Sequence, residues 1–258
     1  GSETALDTPS AAQSGLKLKV NVDVAADQVA DFVLDFDACK SVVKRGNSGR
    51  YNLKPVISAT VVLGDAGLRV EGYVAPAIAL ASTQVSVQVD GVPVKATLPD
   101  LNGKFVLYPV PVGSYDLVVT SAGHVTAVMT AVPVTRTSIT TVNRATLPIA
   151  PPTATVRSVT GSVVPASATV RALQTLTGGP SVEVAWILPD ALGGDFRVGL
   201  PIQAPVKTTY VPNPVSLAFV ADEAVAGLYT LEAESEGVKQ TADIDVFAPV
   251  PFVPFVFP

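Results

Sequence analysis

The acidic residues around the first long apolar run are the part of this sequence best suited to holding a metal ion. Asp31, Asp35 and Asp37 lie at alternating positions, so a β-strand would project them from one face. The opposite face would carry the apolar residues between and beside them, Phe32, Leu34 and Phe36. Carboxylates suit Ca²⁺, which takes about six to eight oxygen ligands, but the spacing matches no calcium-binding loop. A solvated acidic face explains the pattern as well, and both interpretations stay open here.

Side chains suited to catalysis are scarce. The chain has one cysteine, Cys39, and one histidine, His124, so it can form no intrachain disulfide and no site with several His or Cys ligands. We interpret Cys39 as a buried thiol and His124 as a turn residue, and we predict that Trp186 lies in the core with Val182 and Val184. His-Glu-x-x-His, Gly-x-Ser-x-Gly and P-loop motifs are absent from the sequence. We therefore expect no catalytic residue, no cofactor and no enzymatic activity.

The composition argues against two classes of partner. Of the 258 residues 15% are charged, with 17 basic and 22 acidic side chains and a net charge of −5. A nucleic-acid-binding surface would need a basic stripe, and none occurs. Two uncharged stretches, 72–89 and 117–135, reach the length of a membrane span, but their polar residues are interspersed as in strands. We therefore predict no transmembrane segment, and residues 1–14 show no signal-peptide pattern.

Short apolar runs between turns dominate the chain and predict an all-β fold. The 22 prolines and 19 glycines separate these runs, and helical periodicity is nearly absent. Short strands at this spacing are typical of antiparallel sandwiches or barrels. We predict tandem antiparallel β-sandwich modules, transthyretin-like or immunoglobulin-like, of which the first is incomplete. The predicted limits are a first segment over 1–59, a second module over 60–150, a third module over 151–247 and a tail over 248–258.

The second and third modules repeat short motifs in the same order. Residues 103–107 and 194–198 each start with glycine and continue through a phenylalanine, and residues 113–117 and 227–231 each start with Gly-x-Tyr. We expect the tyrosine ring to pack in the core while its hydroxyl reaches backbone at the start of the strand. The Asn-Gly pair at 102–103 predicts a type I′ hairpin turn between paired strands.

Four motifs of the second module carry a family resemblance, namely 71–74 (EGYV), 102–105 (NGKF), 109–115 (PVPVGSY) and 121–124 (SAGH). With them the module resembles the carboxypeptidase regulatory-like domain, a transthyretin-like sandwich. The third module resembles, more distantly, collagen-adhesin B-type or immunoglobulin-like modules. These resemblances imply non-catalytic sandwiches of the kind found in secreted or surface-attached proteins.

Five motifs of the first segment occur in a recognisable order, namely 8–10 (TPS), 14–18 (SGLKL), 34–37 (LDFD), 41–43 (SVV) and 53–56 (LKPV). They resemble the C-terminal half of a domain of unknown function common in bacterial surface lipoproteins. The resemblance implies that the other half is missing here, so the segment would expose an apolar face and its sheet edges. We expect another part of the polypeptide, a cleaved fragment or a neighbouring subunit to complete it. The predicted contact residues are Leu16, Leu18 and Val20.

The end of the chain is apolar and rich in proline. Residues 247–258 hold four of the nine phenylalanines, four prolines and no charge. Proline excludes a helix or a central strand, so we expect an extended segment whose side chains need cover. It either packs on the third module, or leads into further sequence, or docks into a groove or sheet edge of another subunit. The interface residues predicted for docking are Phe252, Val253, Phe255, Val256 and Phe257.

These features predict a structural protein, extracellular or on a bacterial cell surface. In the leading hypothesis, copies of the chain self-assemble head to tail into a fibre or appendage, through strand complementation and burial of the tail. The alternative is a monomeric surface lipoprotein that displays its modules for carbohydrate or protein binding in adhesion. A further option is an accessory region of a secreted peptidase. The expected partners are other copies of the chain, or a surface glycan or protein, and not nucleic acid.

Overall fold

The computed structural model describes residues 6–7, 31–36, 41–45, 50–53, 56–62, 67–78, 82–249 and 252–258. Strands account for 56% of the described residues, which confirms the predicted all-β fold with antiparallel sheets in sandwich-like modules. The two uncharged stretches contain strands, as expected. Within the described residues, no helix has both the length and the apolar character needed to cross a membrane.

The first segment forms two small sheets. Its strands are β1 (Leu6–Asp7), β2 (Asp31–Phe36), β3 (Val42–Arg45), β4 (Arg50–Leu53) and β5 (Ile57–Val62). One sheet has the order β1-β4-β3, and the other is the antiparallel pair β2-β5. The two-stranded sheet is the element on which the candidate site depends.

The second module is a sandwich of two sheets around one core. Its strands are β6 (Val70–Tyr73), β7 (Thr83–Val89), β8 (Val92–Thr97), β9 (Lys104–Leu107), β10 (Gly113–Ser121), β11 (Ala127–Val134) and β12 (Thr140–Thr141). One sheet has the order β12-β6-β9, and the other contains β11-β10-β7-β8. Residues from both sheets, among them Val70, Val87, Phe105 and Leu117, belong to one buried cluster.

The third module repeats this architecture. Its strands are β13 (Val156–Val164), β14 (Thr169–Thr175), β15 (Ser181–Ile187), β16 (Asp195–Pro201), β17 (Val206–Thr209), β18 (Val220–Ala221), β19 (Leu228–Ser235), β20 (Val238–Asp245) and β21 (Val253–Val256). The sheets β16-β13-β21 and β15-β14-β19-β20 enclose a second cluster that includes Val159, Phe196 and Leu231.

Two strands of the third module join the sheet of the second. β17 pairs in parallel with β11, and β18 continues that sheet, whose full order is β18-β17-β11-β10-β7-β8. Val206 also enters the core of the second module. The chain therefore crosses back after β16 and adds to the sheet and core of the second module. Sequence patterning did not predict this crossing, since it fixes which residues form strands and not which sheet they join.

The motif repeat corresponds to a repeat in structure. Gly72 lies opposite Phe105, and Gly161 lies opposite Phe196. A Cβ on Gly72 would come within 2.7 Å of the Phe105 ring, and a Cβ on Gly161 would collide with the Phe196 ring and with the backbone of β21. Glycine at these positions therefore lets the aromatic ring lie flat across the first strand of each module.

The Asn-Gly pair does not form a type I′ hairpin, so that prediction is wrong. β8 and β9 belong to different sheets, and of the two turn residues only Gly103 has a positive φ, 79°. The carboxylate of Asp100 organises the turn, because its Oδ1 accepts the N–H groups of Asn102 at 2.8 Å and of Lys104 at 2.9 Å. Asp190 has the same role before β16. The turns thus connect the two layers of each sandwich.

The Gly-x-Tyr motifs place a buried tyrosine in each core. The Tyr115 hydroxyl donates to the Pro111 carbonyl at 2.8 Å, close to the start of β10, as predicted. The Tyr229 hydroxyl donates to the Pro201 carbonyl at 2.7 Å, at the end of β16 in the facing sheet. Burial raises the pKa of Tyr229, so this hydroxyl stays a neutral donor that links the two layers.

Hydrogen bonds and an apolar cluster join the second and third modules. The buried amide of Gln88 donates to the Glu183 carbonyl at 2.9 Å and accepts the Glu183 N–H at 2.7 Å. Arg171 donates to the Gly91 carbonyl at 2.8 Å. Beside them a buried apolar cluster contains Val118, Val128, Leu176 and Val182. The two modules therefore form one packed body along this contact.

A third link fixes β17 and β18 against the third module. Lys207 donates to the Thr177 carbonyl at 2.8 Å and to the carboxylate of Asp222 at 2.7 Å. Burial acts to raise the pKa of Asp222, but the hydrogen bonds from Lys207 and Thr177 outweigh this effect and lower it. The carboxylate is therefore held in its charged form where the crossing segment returns.

We expect Gln88→Leu to lower the free energy of unfolding by roughly 2–4 kcal/mol, because it leaves both backbone groups of Glu183 without partners at a buried contact. Gln84→Leu is the matched control: Gln84 lies on the same strand but is exposed, so a change within about 0.5 kcal/mol is expected. Chemical denaturation of both variants measures the difference. Equal effects would show that the Gln88 amide does not hold the modules together.

Candidate binding surfaces

The β2-β5 sheet has an apolar face that is open to solvent. Phe36 lies opposite Ile57, and Leu34 lies opposite Ala59; residues directly opposite one another project to the same face. Phe32 lies on this face also, two residues from Leu34. The exposed fractions are 48% for Phe32, 56% for Leu34 and 42% for Phe36. Such a contiguous apolar surface is typical of a contact site rather than of an isolated surface residue.

The opposite face of β2 meets the second module through an ion pair. Asp35 Oδ2 lies 2.6 Å from the ammonium of Lys95 on β8. Lys95 is opposite Val87, a residue of the second module's core, so the pair covers the edge of that sandwich. Asp35 on one face of β2 thus contacts the second module, while the apolar side chains of the other face are exposed. In the part of the first segment that the structure describes, Phe32, Leu34 and Phe36 are therefore left exposed.

The calcium hypothesis gains no support from the described residues. They contain no group of three or more His, Cys, Asp or Glu side chains that could hold a metal ion. Asp35 is engaged by Lys95, and Asp31 begins β2. Asp37 lies outside the described residues, as do Cys39 and the three predicted contact residues Leu16, Leu18 and Val20.

The tail forms a strand of its own third module. β21 pairs in parallel with β13, with Val253 opposite Gly161 and Phe255 opposite Val163. Its side chains alternate strictly along the strand. The buried ones, between 3% and 6% exposed, are Val253, Phe255 and Phe257. The Phe255 ring stacks at 6.4 Å from that of Phe196, so the tail completes the core.

Of the three alternatives considered for the tail, packing on the third module is the one observed. Val253, Phe255 and Phe257 are therefore not available to anchor a neighbouring subunit while β21 is in place, because the third module's core already covers them. Phe252 and Val256, at 57% and 63% exposed, are the two predicted interface residues of the tail that face solvent. Proline within the strand, at 254, did not prevent this pairing, since β21 is an edge strand.

A cleft of about 660 Å³ lies between the first segment and the third module. Val42 and Tyr51 line it on one side, and Phe196, Phe252 and Leu188 add apolar surface on the other. Its polar lining residues are Thr160, Asp190, Asp195 and Arg197. Aromatic surface beside a few polar groups is typical of small-molecule sites. The sequence did not reveal this cleft, because its walls come from residues more than a hundred positions apart.

His124 and Trp186 have structural positions. His124 is half-buried in a turn, as predicted, and its Nδ1–H donates to the Ala122 carbonyl at 3.0 Å. Trp186 is half-buried and belongs to none of the apolar clusters, so its predicted core position is wrong. A bulge in the β14–β15 ladder near Val184 shifts the register. Trp186 lies opposite Arg171, while Ile187 enters the core instead.

Residues 2–55 match the family model of DUF4382, a domain of unknown function. The match confirms that the first segment resembles such a domain, and it covers well under half of the chain. The resemblances of the second and third modules to carboxypeptidase regulatory-like and collagen-adhesin-like families remain predictions. No curated protein matches the chain.

The solved structures that are similar to this chain include the following three. An N-terminal interface mutant of the type II cohesin-X-dockerin complex from Acetivibrio cellulolyticus is 24% identical over 34% of this chain and 59% of its own, with a TM-score of 0.29. A Bacteroides ovatus protein named as an adhesin is 11% identical over 75% of this chain and 90% of its own, with a TM-score of 0.24. A streptococcal ancillary pilin is 11% identical over 86% of this chain and 75% of its own, with a TM-score of 0.23.

This chain thus spans about three-fifths of the first of these structures. Likenesses at TM-scores this low carry no argument about the fold or function of the chain. The function is therefore inferred from the surfaces themselves.

We expect Leu34→Ser to reduce the fluorescence of an apolar dye such as ANS while leaving the free energy of unfolding within about 0.5 kcal/mol of the wild type, because the side chain is exposed in a contiguous apolar face. Val211→Ser is the matched control, since Val211 is exposed to the same degree, 57%, but lies outside the β2-β5 sheet. A dye signal that falls equally in both variants would show that the face is not the main apolar surface.

Proposed function

We propose that this chain is a non-enzymatic structural protein of a bacterial cell surface, the subunit of a fibre or similar appendage, whose copies associate through the apolar face of β2-β5. The observation that carries the proposal is the exposure of Phe32, Leu34 and Phe36 on one sheet face. The well-packed second and third modules supply the body of the subunit. The first segment supplies the surface through which it is joined to others.

The energy available at this face defines the kind of contact it makes. Full burial of a Phe or Leu side chain contributes about 1.5–3 kcal/mol. The three side chains are already half covered, so covering the rest contributes roughly 2–4 kcal/mol in total. Association has an entropic cost of at least about 4 kcal/mol. The contact must therefore include neighbouring residues such as Ile57 and Ala59, and its strength will depend on protein concentration.

A second copy of the chain is the occupant that this face favours. The described side chains of the face carry no charge, so nothing on it selects an ionic or strongly polar partner. A second β2-β5 face offers the same apolar residues in the same spacing, and two sheets pack face to face at about 10 Å. Such a contact is self-complementary under a two-fold axis. A fibre then requires a second, different contact on each subunit.

We expect the protein to self-associate in a concentration-dependent way and Leu34→Asp to abolish this, because a carboxylate at the centre of the face would have to lose its hydration on association. Val211→Asp, at a comparably exposed site, should associate as the wild type does. Sedimentation velocity over a wide concentration range, with electron microscopy of the particles, measures both. A wild-type protein that stays monomeric at all concentrations would contradict self-association.

The cleft supports a second candidate function, the binding of a carbohydrate by a monomeric surface protein. Tyr51 and Phe252 provide aromatic surface against which the apolar face of a sugar ring can stack. Asp195 and Arg197 are exposed on β16 at the same cleft and can pair with hydroxyl groups. This arrangement favours a neutral saccharide over a strongly charged ligand, because acidic and basic groups stand side by side.

For this second function we expect a glycan array to identify a saccharide whose affinity falls at least about fivefold in Phe252→Ala, since stacking contacts of this kind contribute about 1 kcal/mol or more. Phe247→Ala is the matched control, because Phe247 is equally exposed, 59%, but does not line the cleft. Titration calorimetry with the saccharide measures both variants. Equal affinities, or no binding to any glycan, would remove the cleft as a carbohydrate site.

A further inference from the structure

Each complete module is closed by a segment that lies parallel to its first strand. In the second module Ile149 bridges Val74 of the chain beyond β6, and its N–H donates to the Tyr73 carbonyl at 2.9 Å. In the third module Phe255 lies opposite Val163. Val74 and Val163 are equivalent, because each stands two residues after the glycine that faces the phenylalanine. The tail strand therefore fills the same position that residues near 149 fill in the second module.

The closing segment of the second module is fixed along its length. Thr140 donates its N–H to the Arg69 carbonyl at 2.9 Å, and Val142 donates to the Glu71 carbonyl at 2.9 Å. The Asn143 side chain then accepts the Tyr73 N–H at 2.7 Å and donates to the Tyr73 carbonyl at 2.8 Å. The chain continues into β13. This segment is therefore held both before and after the position it fills.

The closing strand of the third module is fully paired with β13, but fewer hydrogen bonds hold the described residues of the connection that leads into it. Between the end of β20 and the start of β21, the hydrogen bonds of the described residues involve Val246, Phe247 and Ala248. The last of these, from Arg157 to the Ala248 carbonyl, is long at 3.5 Å. Pro249 is exposed, and so are Phe247 and Phe252 on either side of it. Val246 is buried in the core, so among the described residues of this connection the exposed ones that follow it are those whose path can change with little loss of burial.

The groove that holds β21 belongs entirely to the rest of the chain. Val163 and Gly161 supply the pairing strand, Phe196 supplies the stacked ring, and Gln240 donates to the Val256 carbonyl at 2.7 Å. Every copy of the protein has the same groove. A β21 strand inserted into the groove of a second copy would make these contacts unchanged, which is the condition for exchange of a strand between subunits.

We infer that β21 is an exchangeable strand that inserts beside β13 of a second copy and joins the two chains. Exchange preserves the burial of Val253, Phe255 and Phe257, so its free-energy cost is confined to the changed path of the connection and the entropy of association. It also brings the neighbouring copy next to Phe247 and Phe252, and covering these exposed rings offsets that cost. The exchange is independent of the β2-β5 face, and would supply the second contact that a fibre of such subunits requires.

Disulfide trapping tests this inference directly. Val164 and Val256 are direct neighbours across β13 and β21, and both are exposed, at 52% and 63%. Cysteines at paired positions of adjacent strands meet the distance requirement for a disulfide. The two variants to mix are Val164→Cys and Val256→Cys, each with Cys39→Ser to remove the native thiol. A disulfide between them forms efficiently only if the strand of one chain occupies the groove of the other.

The expected result is a covalent heterodimer on a non-reducing gel, several-fold more abundant than in a control mixture of Val164→Cys with Val215→Cys. Val215 is 87% exposed and lies outside the groove, so the control measures chance collisions. The double variant Val164→Cys/Val256→Cys shows whether the bond can close. If the double variant forms its disulfide but the mixture gives no more heterodimer than the control, strand exchange does not occur. If neither the double variant nor the mixture forms a disulfide, the pairing of Val164 with Val256 is wrong, and the inference fails with it.

This result is separable from the proposed function. Leu34→Asp in the cysteine background should leave the cross-linked yield unchanged, because Leu34 lies on the β2-β5 face and not at the groove. A cross-link that persists when association through that face is lost supports strand exchange alone. A cross-link that disappears with Leu34→Asp contradicts the independence of the two contacts and therefore the inference.

Discussion

The first strand of each complete module, β6 or β13, needs a neighbour on both edges, because an unpaired edge beside a buried core leaves backbone groups without partners. One neighbour is the antiparallel strand that carries the stacked phenylalanine. The other is a segment that returns in parallel from the far end of the module. Parallel pairing requires a long connection between the two strands. The two modules differ in how many hydrogen bonds hold the described residues of that connection.

Glycine makes this closure possible at the two equivalent positions. At Gly72 an added Cβ would meet the Phe105 ring and the Asn143 side chain of the closing segment, both within 2.7 Å. At Gly161 it would collide with the Phe196 ring and with β21. The aromatic ring and the returning segment therefore both approach the first strand where it has no side chain. Glycine thus lets the first strand of each module approach its neighbours on both edges of the same sheet.

The first segment differs from the two modules in where its apolar side chains lie. The second and third modules each enclose their own core, and they are joined by a smaller apolar cluster, by the hydrogen bonds between Gln88 and Glu183, and by β17. The β2-β5 sheet instead places Asp35 on Lys95 and leaves Phe32 and Leu34 exposed. An ion pair at a sheet edge fixes orientation more than it adds stability. Here the ion pair lies on one face of a strand whose other face is apolar and exposed. The second and third modules therefore form the packed body of the molecule, and the β2-β5 sheet carries the surface suited to association.

Local patterning determined the strands, the faces of β2 and the repeat of glycine and tyrosine motifs, because side-chain alternation and turn chemistry act between residues close in sequence. The alternation of Asp35 with Leu34 was sufficient to predict an amphipathic strand, but the direction its apolar face would take depended on Lys95, sixty residues away. The predicted core position of Trp186 was wrong because the bulge between β14 and β15 depends on the partner strand, which local patterning does not specify. The crossing of β17, the cleft beside Tyr51 and the pairing of β21 with β13 were decided by tertiary structure alone, since each joins residues distant in the chain whose contact depends on the path between them.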